Sequence, residues 1–240
     1  MARFFITGTP TETMVISGED GRHIARSLRM RIGETLTLCN SEGLDFHCEI
    51  TAIDGDNVTV SILEQSESIG EPSIKVTVYP GLPKSDKMDW IVQKTVESGI
   101  TKLVPVMTER CVSRPDSKSA AKKGDRWQKI AEEAAKQCGR GIIPQVAPLM
   151  NYKDAVKEAA ENGPIIFFYE GGGISLRELV NDDTKTLSIF IGPEGGFDEK
   201  EVDFAKEHGA QIGSLGTRIF RTETAPIAAL SAIMALTGNM

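Results

Sequence analysis

Over its first seventy residues the chain alternates apolar and polar positions with a period of two: Thr35-Leu36-Thr37-Leu38, then Phe46, Cys48 and Ile50, then Val58, Val60 and Ile62. Such alternation predicts strands with one buried face. Asn40–Gly43 and Asp54–Asn57 fall between them as turn signals, so a small antiparallel barrel or sheet is expected, interrupted by one helix over about Gly21–Met30. The polar stretch Ser66–Ser73, which contains Gly70 and Pro72, marks a domain boundary. Beyond it, short β-branched runs alternate with helical spacing. VTVY precedes Met88, Ile91, Val92 and Val96 at helical intervals; KLVPVM precedes a helix over about Ala121–Cys138; IIFFY, SLRELV and LSIFI precede helices over Asp198–His208 and from about Ala225. This pattern predicts an α/β fold with a parallel sheet covered by helices on both faces.

With 240 residues, 40% of them hydrophobic, the chain can bury a substantial core in one or two domains. Its longest apolar run, Ala225–Leu236, is too short to span a bilayer, and the opening MARFFITGTP lacks the apolar centre of a signal peptide, so a cytoplasmic protein is expected. Cys39, Cys48, Cys111 and Cys138 are scattered, without a CxxC pair or a histidine at ligand spacing; neither a metal site nor a disulfide framework is expected. The net charge of -7 argues at first against a polyanion partner, but the charge is segregated. Residues 75–145 hold 14 basic and 8 acidic side chains, while both flanking regions are net acidic. A basic face on an acidic protein is therefore permitted.

Two segments invite chemistry. Leu187–Phe197 (LSIFIGPEGGF) reads as a buried strand that ends in a Gly/Pro/Gly turn, where backbone groups can approach a ligand at the carboxyl end of a sheet. Its spacing matches neither GxGxxG nor a phosphate loop, and alone it serves equally as a structural turn. Leu215–Ala225 (LGTRIFRTETA) sets Arg218, Arg221 and Glu223 before an apolar helix; its plain reading is a surface turn capped by Thr222 or Thr224, with Pro226 in the first helical turn.

Together, IGPEGGFDEKE and SLGTRIFRTETAPIAAL resemble the C-terminal signature of the 16S ribosomal RNA uridine-N3 methyltransferase family, within the SPOUT superfamily of knotted methyltransferases. HIARSLRMRIGE, LPKSDKMDWIVQKTVESGITKLVPVMTERCV and RWQKIAEEAAKQCGRGIIPQV resemble its other segments in the same order. The resemblance implies a PUA-like RNA-binding β-barrel over residues 1–70 and a SPOUT domain over 74–240, with a C-terminal trefoil knot that binds S-adenosylmethionine; the absence of a ligand cluster adds the expectation that it binds without metal. It also implies a homodimer in which the final helix, with its apolar run Ile227–Leu236, joins the subunit contact. A different SPOUT methyltransferase, a non-catalytic RNA-binding module and a nucleotide-binding enzyme are the alternatives; the full-length resemblance, the paired signatures and the missing phosphate loop weigh against each in turn.

Carried over by position, the resemblance implies a cofactor pocket formed by Gly192, Pro193, Glu194, Gly195, Gly196, Leu215, Gly216 and Ile219, with Tyr169 and Glu170 at the same sheet edge. Arg221, Thr222, Glu223, Thr224 and Ala225 would border the substrate, with Thr222, Thr224 and Ala225 also touching cofactor. Phe220 departs from the family's aliphatic residue, a substitution a buried knot position should tolerate. Uracil N3 carries a proton at neutral pH, so the chemistry asks for a base or for donors to the anion developing on O2 and O4; Glu223 or Glu194 would be the base and Arg221 the donor. The uridine must be unpaired or flipped. Arg22, Arg26 and Arg29 recur at helical spacing and Arg31 follows; with Lys84, Lys87, Arg110, Arg114, Arg126 and Arg140 they are the candidate phosphate contacts within 16S ribosomal RNA of the small subunit. His23, His47, His208, Trp90 and Trp127 read as structural.

Overall fold

The computed structural model describes residues 2–240 and divides into two compact units, one made of residues up to 71 together with 135–143, the other of 72–134 together with 144–240. In the first, β1 (Arg3–Phe5), β2 (Thr13–Ile16), β3 (Thr35–Cys39), β4 (Leu44–Asp54) and β5 (Asn57–Glu67) form one sheet in the order β1-β3-β4-β5-β2. All pairs are antiparallel except β1 with β3. The period-two residues Leu36, Leu38, Phe46, Cys48, Ile50, Val58 and Val60 close a core around Ile24. Full burial of each large apolar side chain contributes about 1.5–3 kcal/mol.

The predicted helix over Gly21–Met30 starts earlier and is irregular: α1 spans Gly18–Arg22, a π-helical turn follows over His23–Ser27, and Arg29 lies in the left-handed region at φ 53°. Gly21 is required there, since a β-carbon would lie 2.1 Å from the carbonyl oxygen of Asp56. Arg22, Arg26 and Arg29 therefore do not share one α-helical face.

The second unit holds β6 (Lys75–Pro80), α2 (Lys87–Glu97), β7 (Lys102–Leu103), β8 (Val106–Met107), most of α3 (Ser117–Cys138), β9 (Gln145–Val146), β10 (Met150–Asn151), α4 (Tyr152–Glu161), β11 (Ile165–Phe168), β12 (Ile174–Ser175), α5 (Leu176–Leu179), β13 (Thr186–Ile191), α6 (Glu199–Glu207), β14 (Gln211–Ser214) and α7 (Ala225–Leu236). The expected parallel sheet is present, with seven strands in the order β12-β14-β11-β13-β6-β7-β9 and every pairing parallel. Strand β13 lies between β11 and β6, and its continuous apolar run follows from burial on both faces. KLVPVM, expected as one strand, is divided by Val104-Pro105: β7 joins the main sheet while β8 pairs with β10. A proline has no N–H to donate to a ladder, so the chain changes partner there.

Local sequence explains several helix starts. Asp198 and Glu201 form a reciprocal capping box on α6, and the Asn151 side chain accepts from the Asp154 N–H at the start of α4. Helix α7 has Pro226 in its first turn and packs against α2, α5 and β6. Leu230, Ile233 and Met234, which the sequence assigned to a subunit contact, are instead buried in this unit's own core. Along α7, Ile227, Ala228, Ser231, Ala232 and Leu236 are partly exposed and Ala235 is exposed. Among the described residues no helix is long and apolar enough to cross a membrane.

Candidate active site

The carboxyl ends of β11, β13 and β14 open on a cleft of about 790 Å³, entirely within the second unit. In a parallel sheet this edge is where connecting loops diverge and a ligand can enter. One wall is the loop after β13, Gly192 to Phe197. Its fixation is visible residue by residue. Phe197 is buried, with its ring centroid 4.1 Å from that of Phe167. Arg110 donates to the Gly195 carbonyl oxygen at 3.1 Å, and Thr222 Oγ1 donates to that of Gly192 at 2.9 Å. Gly196 sits at φ +68°, where a β-carbon is strained, and a β-carbon at Gly192 would press on the Gly196 backbone at 3.1 Å. Gly81, at the end of β6, meets the same loop so closely that a β-carbon would lie 2.7 Å from Pro193 N.

The opposite wall is the segment from Leu215 to Ala225. Gly216, at φ +100°, turns the chain out of β14. Ile219 is 84% exposed, Phe220 half-buried and Arg221 exposed, all three lining the cleft. Phe220, expected at a buried position, is only half-buried and lines this opening. Tyr169 and Glu170 line the third side at the end of β11.

Of the expected cofactor contacts, Tyr169, Glu170, Gly192, Pro193, Glu194, Gly196, Leu215, Gly216, Ile219, Thr222 and Ala225 come together around the cleft. Gly195 and Thr224 do not. A β-carbon at Gly195 would point at the Arg110 side chain, 3.1 Å away, and Thr224 is the exposed N-cap of α7 with no side-chain capping bond. The sequence reading missed Gly172, Gly173, Gly213 and Ser214, which also line the cleft. The glycine run behind IIFFYE was the available signal.

The electrostatics depart further from expectation. Lys87 Nζ lies 2.9 Å from Glu194 Oε1 and 3.1 Å from Glu223 Oε2. Glu223 Oε2 is buried and takes no directed hydrogen bond besides this ion pair. Burial would push the Glu194 carboxyl up, but the Lys87 hydrogen bond, its own backbone N–H, that of Lys84 and the Lys87 charge hold it below the usual carboxylate range. Glu223 is held low by its own backbone N–H against burial, with Lys87 and Arg221 adding to the effect. Lys87 is raised, chiefly by its hydrogen bond to Glu194. By contrast, no hydrogen bond or ion pair seen among the described residues engages the Arg221 guanidinium.

The candidate phosphate contacts divide in the same way. Lys87 is committed to two carboxylates. Arg140 has a side chain only 5% exposed and donates to both oxygens of Glu71, so its guanidinium is a buried ion-pair partner and not a phosphate contact. Arg126 pairs with Asp89, Arg110 with Asp198, and Arg114 donates to the Glu109 carbonyl oxygen, though all three stay largely exposed. In the first unit, Arg26 and Arg22 face Asp56 at 2.7 and 3.7 Å, while Arg29 and Arg31 are exposed. Lys84 is exposed, its backbone N–H donating to Glu194 at 3.2 Å. Trp127 is a packing residue whose Nε1 donates to Asp89, whereas Trp90 is 52% exposed beneath Lys94.

Residues 70–234 match the model of a family described as an RNA methyltransferase domain, and residues 16–63 that of an RNA methyltransferase PUA domain. This chain belongs to the RNA methyltransferase family. It is 37% identical over 245 aligned residues to the ribosomal RNA small subunit methyltransferase E of Bacillus subtilis, covering 97% of this chain and 96% of that protein. Among solved structures it is similar to the ribosomal RNA small subunit methyltransferase E of Neisseria gonorrhoeae bound to S-adenosyl methionine, with 32% identity, a TM-score of 0.89 and 98% of both chains covered. A methyltransferase structure from Legionella pneumophila in complex with bound SAM is similar at 32% identity and a TM-score of 0.88, covering 98% of this chain and 97% of that one. The RNA methyltransferase match contains both walls of the cleft, and the PUA match contains β3 and β4 with parts of β2 and β5.

Proposed function

We propose that this protein transfers a methyl group from S-adenosylmethionine to N3 of a uridine in 16S ribosomal RNA of the small subunit. The observation that carries the reading is the cleft at the ends of β11, β13 and β14, walled by the two loops that hold GPEGG and RTETA. Its lining suits this cofactor. Glycine backbone and apolar side chains accommodate a flat adenine, and the carboxylates of Glu170 and Glu194 offer negative charge to a sulfonium and an ammonium. When bound, the cofactor supplies a methyl group already activated on a cationic sulfur.

The chain's own residues then supply placement and charge. The uncommitted guanidinium of Arg221 lies at the cleft, where it can donate to uracil O2 or O4 as N3 loses its proton. Glu194 and Glu223, held ionised, are poor proton acceptors; they serve better as fixed negative charge. Placing N3 against the methyl group requires the base to leave its pairing partner. Arg29, Arg31 and Lys84, exposed and without a side-chain ion pair among the described residues, are assigned to phosphate contacts, with Arg22, Arg26, Arg110, Arg114 and Arg126 able to exchange their carboxylate or carbonyl partners for phosphate.

The finer architecture belongs to the same reading: residues 1–70 as a PUA-like barrel for RNA, and residues 74–240 as a SPOUT domain whose C-terminal segment threads a trefoil knot. The Thr222–Gly192 hydrogen bond, which ties the final segment to the loop after β13, supports it. A cytoplasmic homodimer using the exposed edge of α7 completes it, with Ile227 and Leu236 as the large apolar side chains of that helix still partly exposed. Nucleoside mass spectrometry of small-subunit RNA from cells with and without this protein tests the activity. Loss of N3-methyluridine in its absence is expected; an unchanged nucleoside profile would overturn it. Sedimentation of the wild type and Ile227→Glu tests the dimer, and a wild-type monomer with full activity would contradict it.

A further inference from the structure

Lys87 occupies the first helical position of α2, where the aligned peptide dipoles disfavour a cation. Its position is explained by what it reaches: Glu194 from the loop after β13 and Glu223 from the segment before α7, at 2.9 and 3.1 Å. Neither Lys87 nor Glu223 is among the residues lining the cleft, whereas Glu194 is. We propose that Lys87 is a positioning residue, an ammonium clamp that holds the two walls of the cleft in the geometry the cofactor meets. The inference rests on the reading that S-adenosylmethionine occupies this cleft.

The physical argument concerns three charges. Two carboxylates drawn to one site repel each other and separate unless a cation lies between them. A compact ammonium with three donors can serve two acceptors from different directions, where a planar guanidinium favours one carboxylate in a fork. The clamp is anchored on its own side as well, because the loop before α2 donates the Lys84 N–H to Glu194. That loop passes through a left-handed Ser85 at φ 55°, a strained conformation for a residue with a β-carbon. The group of Lys87, Glu194 and Glu223 carries a net charge of -1, with Arg221 adding its charge near Glu223. Such a group neither attracts nor holds an RNA phosphate, which separates this role from the one the sequence suggested for Lys87.

Calorimetric titration of S-adenosylmethionine into the full chain tests the clamp in wild type, Lys87→Met, Lys87→Arg and Glu223→Gln, with melting temperatures alongside. Lys87→Met should weaken binding about tenfold, the scale of losing one partner from a partly buried, hydrogen-bonded charge group, and Lys87→Arg should recover part of it. A depressed carboxyl contributes above its unfolded pKa and fails as pH falls through its folded one. Removing Lys87 leaves Glu194 with burial and backbone N–H groups alone, so the acid limb of cofactor affinity should move to higher pH. A residue that merely supports the fold would lower the melting temperature without moving that limb. If Lys87→Met does not fold, Glu223→Gln must weaken binding on its own. Unchanged affinity and acid limb in the variants, beside a wild type that binds, would overturn the clamp; so would a Lys87→Met protein whose only change is a flatter salt dependence of RNA binding. A wild type that does not bind the cofactor would overturn the functional reading itself.

Discussion

The buried hydroxyl of Thr222 donates to the carbonyl oxygen of Gly192 at 2.9 Å, joining the segment before α7 to the loop after β13. Thr222→Val keeps the shape and removes the donor. It should destabilise the protein by about 1–3 kcal/mol, the cost of leaving a buried acceptor unmet, and weaken cofactor binding, whereas Thr222→Ser should restore both. Urea unfolding and calorimetry on the same preparations check this; Thr222→Val with wild-type stability would show that the bond is not needed.

Gly195 and Gly196 are neighbours with different demands. Gly196 lies at φ +68° beside the Glu170 carboxylate, and Gly195 faces Arg110. Gly196→Ala should cost about 1–3 kcal/mol in backbone strain and lower cofactor affinity. Gly195→Ala should displace Arg110 slightly and leave affinity near normal. Equal affinity losses in the two variants would mean that Gly195 also borders the ligand.

Among the described residues Arg221 makes no ion pair within contact distance and only adds its charge near Glu223, so Arg221→Ala should change the melting temperature little. If the guanidinium stabilises the uracil anion, kcat should fall about 10²-fold or more with little change in cofactor affinity. Arg221→Lys should remain impaired, because the charge persists but the planar fork is lost. A raised KM with normal kcat in single-turnover and steady-state assays would make it a substrate anchor instead.

Arg140 and Arg29 should separate stability from RNA binding. Arg140→Ala leaves the Glu71 carboxylate without its buried partner and should cost about 3–5 kcal/mol, with the salt dependence of RNA binding unchanged in whatever fraction folds. Replacing Arg22, Arg26 and Arg29 together should do the reverse, flattening the slope of affinity against salt with little loss of stability. Filter binding across a salt series, paired with denaturant titration, distinguishes the two.

Period-two alternation was enough to mark Leu36, Phe46, Cys48, Ile50 and Val58 as one core face, and the unbroken apolar run Leu187–Ile191 was enough to mark an interior parallel strand, because burial on one face or both leaves a local signature in sequence. The glycines and proline after that strand likewise announced a close backbone turn. Lys87, Glu194 and Glu223 carried no such mark. A lysine in the first turn of a helix and a glutamate in either of two loops each read as solvated charge or as a candidate of another kind, and only the fold brings them within 3.1 Å. The same holds for Arg140, indistinguishable in sequence from an exposed basic residue until Glu71 closes over it, and for Gly195, whose neighbour Gly196 alone faces the cleft. Periodicity records which side of an element is dry; which charge meets which is decided by loops and strand order far apart along the chain, and for that the sequence holds no local signal.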